Sequence, residues 1–335
     1  MGKGKTGCAG ATPMNAASMS GTDTFASTAA TATKVSQVME ALEPEQLGEV
    51  EGMNTEHASE ASIPADRLKP VQRPNGDNYF PRPQGQLGVT DIEYLRFQRE
   101  DQVNTLLEGE PGCGKTASAE AAFGEELVVV NGSADFQVSD LVGTWVPTGN
   151  PDAPYRWQDG PLVVAMREGR PLLVDDITMI DAGVLLRLYP AMESQKKIFL
   201  TEHEGEEVVA KDGFVVIGAH NPGAPGAVLS EALRSRFGSS SIVEVDYGIA
   251  AELGVPRSII RAAKKLGNMR KENIINWAPQ MREMLDFVRQ EKRYGAIGAA
   301  SIMLTGAPDE ESKAMLKEAL ESSFPGIEEN VVSGK

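Results

Sequence analysis

Eight residues, Gly109, Glu110, Pro111, Gly112, Cys113, Gly114, Lys115 and Thr116, carry the strongest chemical signal in the chain. The glycines allow a sharp turn whose backbone approaches a ligand closely and aims several N–H groups inward. In this Gly-x4-Gly-Lys-Thr spacing the lysine reaches β- and γ-phosphates and the threonine hydroxyl can ligate Mg2+. The flanking text supplies the frame such a cradle needs. The apolar run QVNTLLEG before it has strand length, and KTASAEAAFG after it is an alanine-rich helix former ending on glycine. A second Gly-Lys-Thr, in the opening MGKGKTG, lacks the spacing, the strand and the helix, and reads as a flexible basic end.

Three later segments bear on what a bound phosphate would undergo. RPLLVDDIT is an apolar strand ending in Asp175 and Asp176, where a sheet presents its ligand-binding edge. Asp175 would hold Mg2+ and Asp176 would orient or polarise an attacking water; the competing reading makes Asp176 or Thr178 a helix cap. GFVVIGAHNPG is the next buried strand and ends in Asn221, a neutral amide able to bond both a γ-phosphate and a lytic water. LSEALRSRFG places Arg234 and Arg236 on or just after a short helix, where they either pair with surface carboxylates or serve a transferring phosphoryl group. Other chemistries find no support. HEGEE at 203–207 lacks the second histidine of a zinc-protease helix, the histidines and cysteines are scattered, and no Gly-x-Ser-x-Gly turn occurs.

The elements that must position these residues alternate. DIEYLRFQRED reads as a helix capped by Asp91. Apolar runs VNTLLEG, ELVVVNG, RPLLVDDI, GFVVIGAHN and SSIVEVD then recur, with helical text such as GPLVVAMREG and DAGVLLRLYPAMES between them. Fully apolar strands alternating with helices predict a parallel sheet covered on both faces. KIFLTEHEGEEVVAKDG predicts an inserted hairpin. After Asp246 strands cease, and four segments to about residue 330 read as a small helical domain whose methionines fill its core. Upstream, residues 1–87 are low-complexity and then proline-rich, a leader expected to be largely disordered, with one short acidic helix over 35–52 and an extended linker before residue 88.

With 335 residues the chain can bury a sizeable core. Its net charge of −16 makes a nucleic-acid or anionic-membrane partner the less favoured one. No apolar run approaches the roughly 20 residues that cross a bilayer, and the N-terminus shows no apolar signal segment. With only two cysteines, Cys8 and Cys113, a reducing cytoplasm is expected.

The series GEPGCGKT, LLVDD, GAHNP and LRSRF resembles the Walker A, Walker B, sensor 1 and arginine finger of AAA+ ATPases, in order. NGSADFQVSDLVGTWVP, YRWQDGPLVVAMREGRPLLVDD and AKDGFVVIGAHNP are similar to the MoxR and dynein-related branch, which includes CbbQ/NorQ-type activases and McrB-like proteins. The resemblance spans about residues 88–300. It implies a P-loop α/β sandwich over 88–246 with strand order 5-1-4-3-2 and a helical lid over 247–335. It also implies that Arg282, in APQMREMLDF, is the lid's sensor 2 arginine. The activity implied is Mg2+-dependent ATP hydrolysis in a hexameric ring that remodels or assembles a protein partner, a von Willebrand A-type protein being the expected one. Two alternatives stay open: an NTP-driven nucleic-acid motor of McrB type, and a non-hydrolysing nucleotide switch, since Asp176 stands where the family usually has Glu.

Overall fold

The structure is a computed structural model that describes residues 63, 66–224 and 226–328. The expected leader helix, Cys8 and the low-complexity segment lie outside the described residues.

Five short apolar runs form one parallel sheet: β3 (Thr105–Glu108), β4 (Val128–Asn131), β7 (Leu172–Asp175), β10 (Val216–His220) and β11 (Ser239–Ile242). Their spatial order is β11-β3-β10-β7-β4, which is the expected 5-1-4-3-2 counted along these five strands. Side chains alternate between faces. Leu172, Val174 and Val216 join Leu141 of α3 (Val138–Val142) and Leu162 and Met166 of α4 (Pro161–Glu168) in one core. Leu107, Leu173, Ile217 and Ala219 join α1 (Asp91–Glu100) and α2 (Lys115–Phe123) in the other. Buried Asn104, just before β3, fastens the start of the sheet. Its amide donates to Met192 O (3.1 Å) and Arg236 O (3.2 Å), and its oxygen accepts from Val216 N (3.0 Å). This carboxamide has three partners, as a buried polar side chain requires.

Several local expectations shift. The cap of α1 is Thr90, in a capping box with Glu93, rather than Asp91; Asp91 instead accepts from Tyr79 and from the Arg82 backbone. DAGVLLRLYPAMES forms two short helices, α5 (Ala182–Leu185) and α6 (Tyr189–Met192), because Pro190 fits only a first turn. The hairpin β8–β9 (Lys197–Leu200, Glu206–Val209) is present as expected. A second hairpin, β5–β6 (Gly143–Pro147, Tyr155–Asp159), is not foreseen from strand patterning. The two meet where His203 stacks on Trp157 at 4.9 Å and abuts Trp145 at 5.4 Å.

The proline-rich stretch read as extended linker is packed. Val71–Gln72 (β1) and Asn78–Tyr79 (β2) pair around a turn at Gly76, and Tyr79 is buried against α1 and α2. This strap, with its continuation to Thr90, belongs physically to the α/β unit. Beyond α7 (Glu231–Arg234) and β11 the chain is helical throughout the described residues. α8 (Tyr247–Glu252), α9 (Arg257–Lys271), α10 (Met281–Thr305) and α11 (Glu310–Glu321) enclose a separate core of Ile259, Leu266, Met284, Phe287, Leu304 and Leu316. Gly295 (φ 72°, ψ 170°) breaks α10 in two.

Candidate nucleotide site

β3 ends at Glu108 on the C-terminal edge of the sheet and hands the chain to Gly109–Gly114. Gly112 (φ 81°) and Gly114 (φ 104°) take left-handed backbone, which only glycine adopts cheaply, and α2 starts at once. Gly114 is the N-cap and supplies no side-chain oxygen, so the first-turn N–H groups of α2 have no cap. Together with the helix dipole they make that end a site for an anion. Lys115 is buried, and its ammonium donates to Gly109 O (2.8 Å) and Glu110 O (3.0 Å), arching over the loop. Thr116 Oγ1 donates to Asp175 Oδ2 across the gap to β7. Burial raises the Cys113 pKa, so the thiol beneath the loop stays protonated.

Asp176 follows Asp175 in left-handed conformation (φ 47°), which is costly for a residue with a Cβ. It occupies the N-cap position of the short turn Ile177–Met179 but makes no side-chain cap bond, so the capping reading is not what is seen. Asn221, one residue past β10, accepts from Gly223 N (3.1 Å). It shares a cleft of about 530 Å³ with Gly109, Glu110 and Cys113 on the sheet side and Tyr247, Arg270 and Gln280 on the lid side.

The loop is gripped from two directions. From the lid, Arg270 and Gln280 both contact the Glu110 carboxylate. A side chain at Gly112 would come within 3.1 Å of Arg282 Cβ, which puts the backbone of Arg282 against the loop. The Arg282 side chain is exposed and makes no hydrogen bond or ion pair among the described residues. From the strap, Arg82 Nη1 donates to Cys113 O (3.0 Å) and to Glu244 O (2.7 Å), where the chain leaves β11 for the lid. Its Nη2 and Nε donate to Tyr79 Oη (2.8 and 3.1 Å). Burial pushes the Tyr79 hydroxyl well above the ordinary phenol range, keeping it protonated as it donates to Asp91.

The two arginines after β10 both have carboxylate partners in their own chain, the first of the two readings open to them. Arg234 Nη1 meets Glu108 Oε1 at 2.9 Å. Arg236 lies away from the cleft, paired with Glu193 (2.8 Å) and stacked 4.1 Å over the Tyr189 ring. Of the residues predicted from sequence, the loop, Thr116 and Asp175 are brought into direct contact, with Asp176, Asn221 and the backbone of Arg282 around them. Arg234 reaches the rim of the cleft through Glu108, and Arg236 stands apart. Sequence reasoning missed Glu108, Arg82, Arg270 and Gln280. Only Arg82 had a local signal, the Asn75-Gly76 turn beside it that marks a hairpin.

A parallel sheet with a glycine loop at the edge of its first core strand, an uncapped helix behind that loop and acidic residues at the end of β7 defines a P-loop nucleotide-binding protein. Residues 104–237 match the family model described as AAA domain (dynein-related subfamily). The chain is 27% identical over 215 residues to protein NorQ of Paracoccus denitrificans, covering 59% of this chain and 76% of NorQ. It is 31% identical over 188 residues to an uncharacterised protein of Staphylococcus aureus strain USA300, covering 54% and 69%. Midasin of Giardia intestinalis is 35% identical over 136 residues, 40% of this chain and 3% of midasin. The chain belongs to the AAA+ ATPases of the dynein-related, MoxR-like branch.

Proposed function

We propose that the protein binds ATP with Mg2+ and hydrolyses it to remodel or assemble a protein partner. The observation that carries this reading is the convergence, at one sheet edge, of the uncapped α2 N-terminus, the buried Lys115 ammonium and the Thr116–Asp175 contact. The donor set suits Mg2+, which takes few protein ligands and completes its shell with phosphate oxygens and water; a hydroxyl and a carboxylate already in contact supply that share. Bound Mg2+ would neutralise charge on the transferring phosphoryl group.

The chain's own residues do the rest. Glycine-loop N–H groups receive the phosphates, and Lys115 exchanges two neutral carbonyls for anionic oxygens. Asp176 holds the attacking water, and Asn221 hydrogen-bonds both that water and the γ-phosphate. Arg282, free of other partners among the described residues, extends from the lid toward the same phosphates. The nucleotide unit starts with the strap rather than at residue 88, and the lid runs from residue 247. Lys115→Ala tests the binding step: it should abolish ATP binding, and retained wild-type affinity overturns the assignment.

The reading extends to assembly. Arg234 or Arg236 acts on a neighbouring subunit's nucleotide in a closed, hexameric ring, exchanging its present carboxylate for a phosphate. Mixing Arg236→Ala with Lys115→Ala subunits should restore part of the lost turnover at mixed interfaces. A dead mixture of co-assembled subunits moves the role to Arg234. The charge of −16 favours a protein over a nucleic-acid partner and the two cysteines a reducing cytoplasm, and the MoxR resemblance makes a von Willebrand A-type protein the first to look for by co-purification. One observation favours a second reading, a nucleotide switch with little turnover: Asp176 is one methylene shorter than Glu and is held in strained backbone. Multiple turnovers by the assembled protein would exclude it.

A further inference from the structure

Glu108 and His220 face each other across the sheet as register partners, and each immediately precedes a residue of the cleft, Gly109 and Asn221. Glu108 Oε1 accepts from Arg234 Nη1 (2.9 Å) and from Ser240 Oγ (3.0 Å). Its other oxygen lies 3.8 Å from His220 Nε2, just beyond hydrogen-bond reach. His220 is 1% exposed, and neither ring nitrogen has a hydrogen-bond partner. An imidazole buried in that way carries an unrecovered desolvation cost, and such groups call for an explanation.

We propose that Glu108 and His220 are positioning residues of the reaction, a two-state polar contact that sets Arg234 according to what Asn221 holds. This rests on the reading of the cleft as an ATP-hydrolysing site. In the state described here Glu108 Oε1 holds Arg234, half of whose side chain is exposed to solvent, while Oε2 faces His220 without a hydrogen bond. A small shift of the end of β10 closes the gap to His220 and satisfies the buried ring, and the carboxylate rotation that aims Oε2 at the ring draws Oε1 off Arg234. Because Asn221 directly follows His220, a γ-phosphate drawing on Asn221 biases that shift. Arg234 is then free to meet another anion, so the two sites are linked through one bistable contact. Burial lowers the pKa of His220, which leaves a neutral ring with one N–H to donate.

The test uses the full chain with histidine rings isotopically labelled. It has three histidines, His57, His203 and His220, so a His220→Gln variant assigns the signal. Adding a non-hydrolysable ATP analogue with Mg2+ should move the His220 ring resonance, and ADP should not. In turnover assays Glu108→Gln and His220→Gln should each lower kcat about tenfold with KM within about twofold, and the double variant should be no worse than either single, because the pair acts as a unit. A merely structural role moves neither the ring signal nor the additivity; thermal melts of the near-isosteric variants check the fold. Analogue binding without a His220 shift, or a double variant about a hundredfold slower, overturns the proposal. No analogue binding by the wild-type chain overturns the reading of the cleft, and this proposal with it.

Discussion

Strap and lid both hold the glycine loop with arginines, yet the two grips differ in kind. Arg82 has 13% of its side chain exposed and binds two carbonyls of the nucleotide unit besides Tyr79 and Asp91. Arg270 engages a single carboxylate, Glu110, which is 41% exposed. A buried guanidinium whose partners are also buried cannot let go without stranding charge, whereas a solvated pair gives up little when it opens. The strap is therefore a permanent part of the loop's support. The lid is held by contacts weak enough to break and reform as nucleotide enters and leaves.

Arg82→Ala should separate the two grips most strongly. It removes the cation beside the buried Asp91 carboxylate and releases the Cys113 and Glu244 carbonyls, which should cost about 3 kcal/mol or more in denaturant unfolding. A loss under about 1 kcal/mol would put strap and lid on the same footing. Tyr79→Phe keeps the ring in its core and removes only the hydroxyl that joins Arg82 to Asp91. It should cost about 1–2 kcal/mol. Arg270→Ala should stay within about 1 kcal/mol of wild type, while hydrogen exchange quickens in α9 and leaves β3 and α2 unchanged; equal acceleration in β3 would make the lid contact structural.

The smallest effect is acid-dependent. Arg67 and the Thr90 capping box hold the Glu93 carboxyl down at about 2. A depressed carboxylate contributes stability that is present above its unfolded pKa of about 4.5 and is lost as pH falls through about 2. The melting temperature of wild type should therefore fall over that window more than that of Glu93→Gln. Parallel curves would remove Glu93 from the strap's support.

What was legible in the sequence was local. Gly109–Thr116 declares itself because the turn, the lysine and the helix start are contiguous, and five apolar runs announce a buried parallel sheet because both faces of each strand must be covered. Asp175 and Asn221 were legible as strand-end residues. The strap reads as linker because prolines dominate its composition, and a lone tyrosine gives no sign of a waiting socket. Glu108 and His220 could not be paired from sequence, since 112 positions separate them and only sheet register sets them opposite each other. Arg270 and Gln280 meet Glu110 only through the packing of the lid, a contact without periodicity to read.

The central claim is that this sheet edge hydrolyses ATP with Asp176 holding the water. Asp176→Asn keeps the size of the side chain and removes its charge. Nucleotide affinity and steady-state phosphate release should be measured together, with Mg2+, at protein concentrations that support assembly. Wild-type turnover should stand well above background, and the variant should keep near wild-type affinity with turnover lowered at least about hundredfold. Phosphate release by Asp176→Asn at the wild-type rate, or none from the assembled wild type, would contradict it.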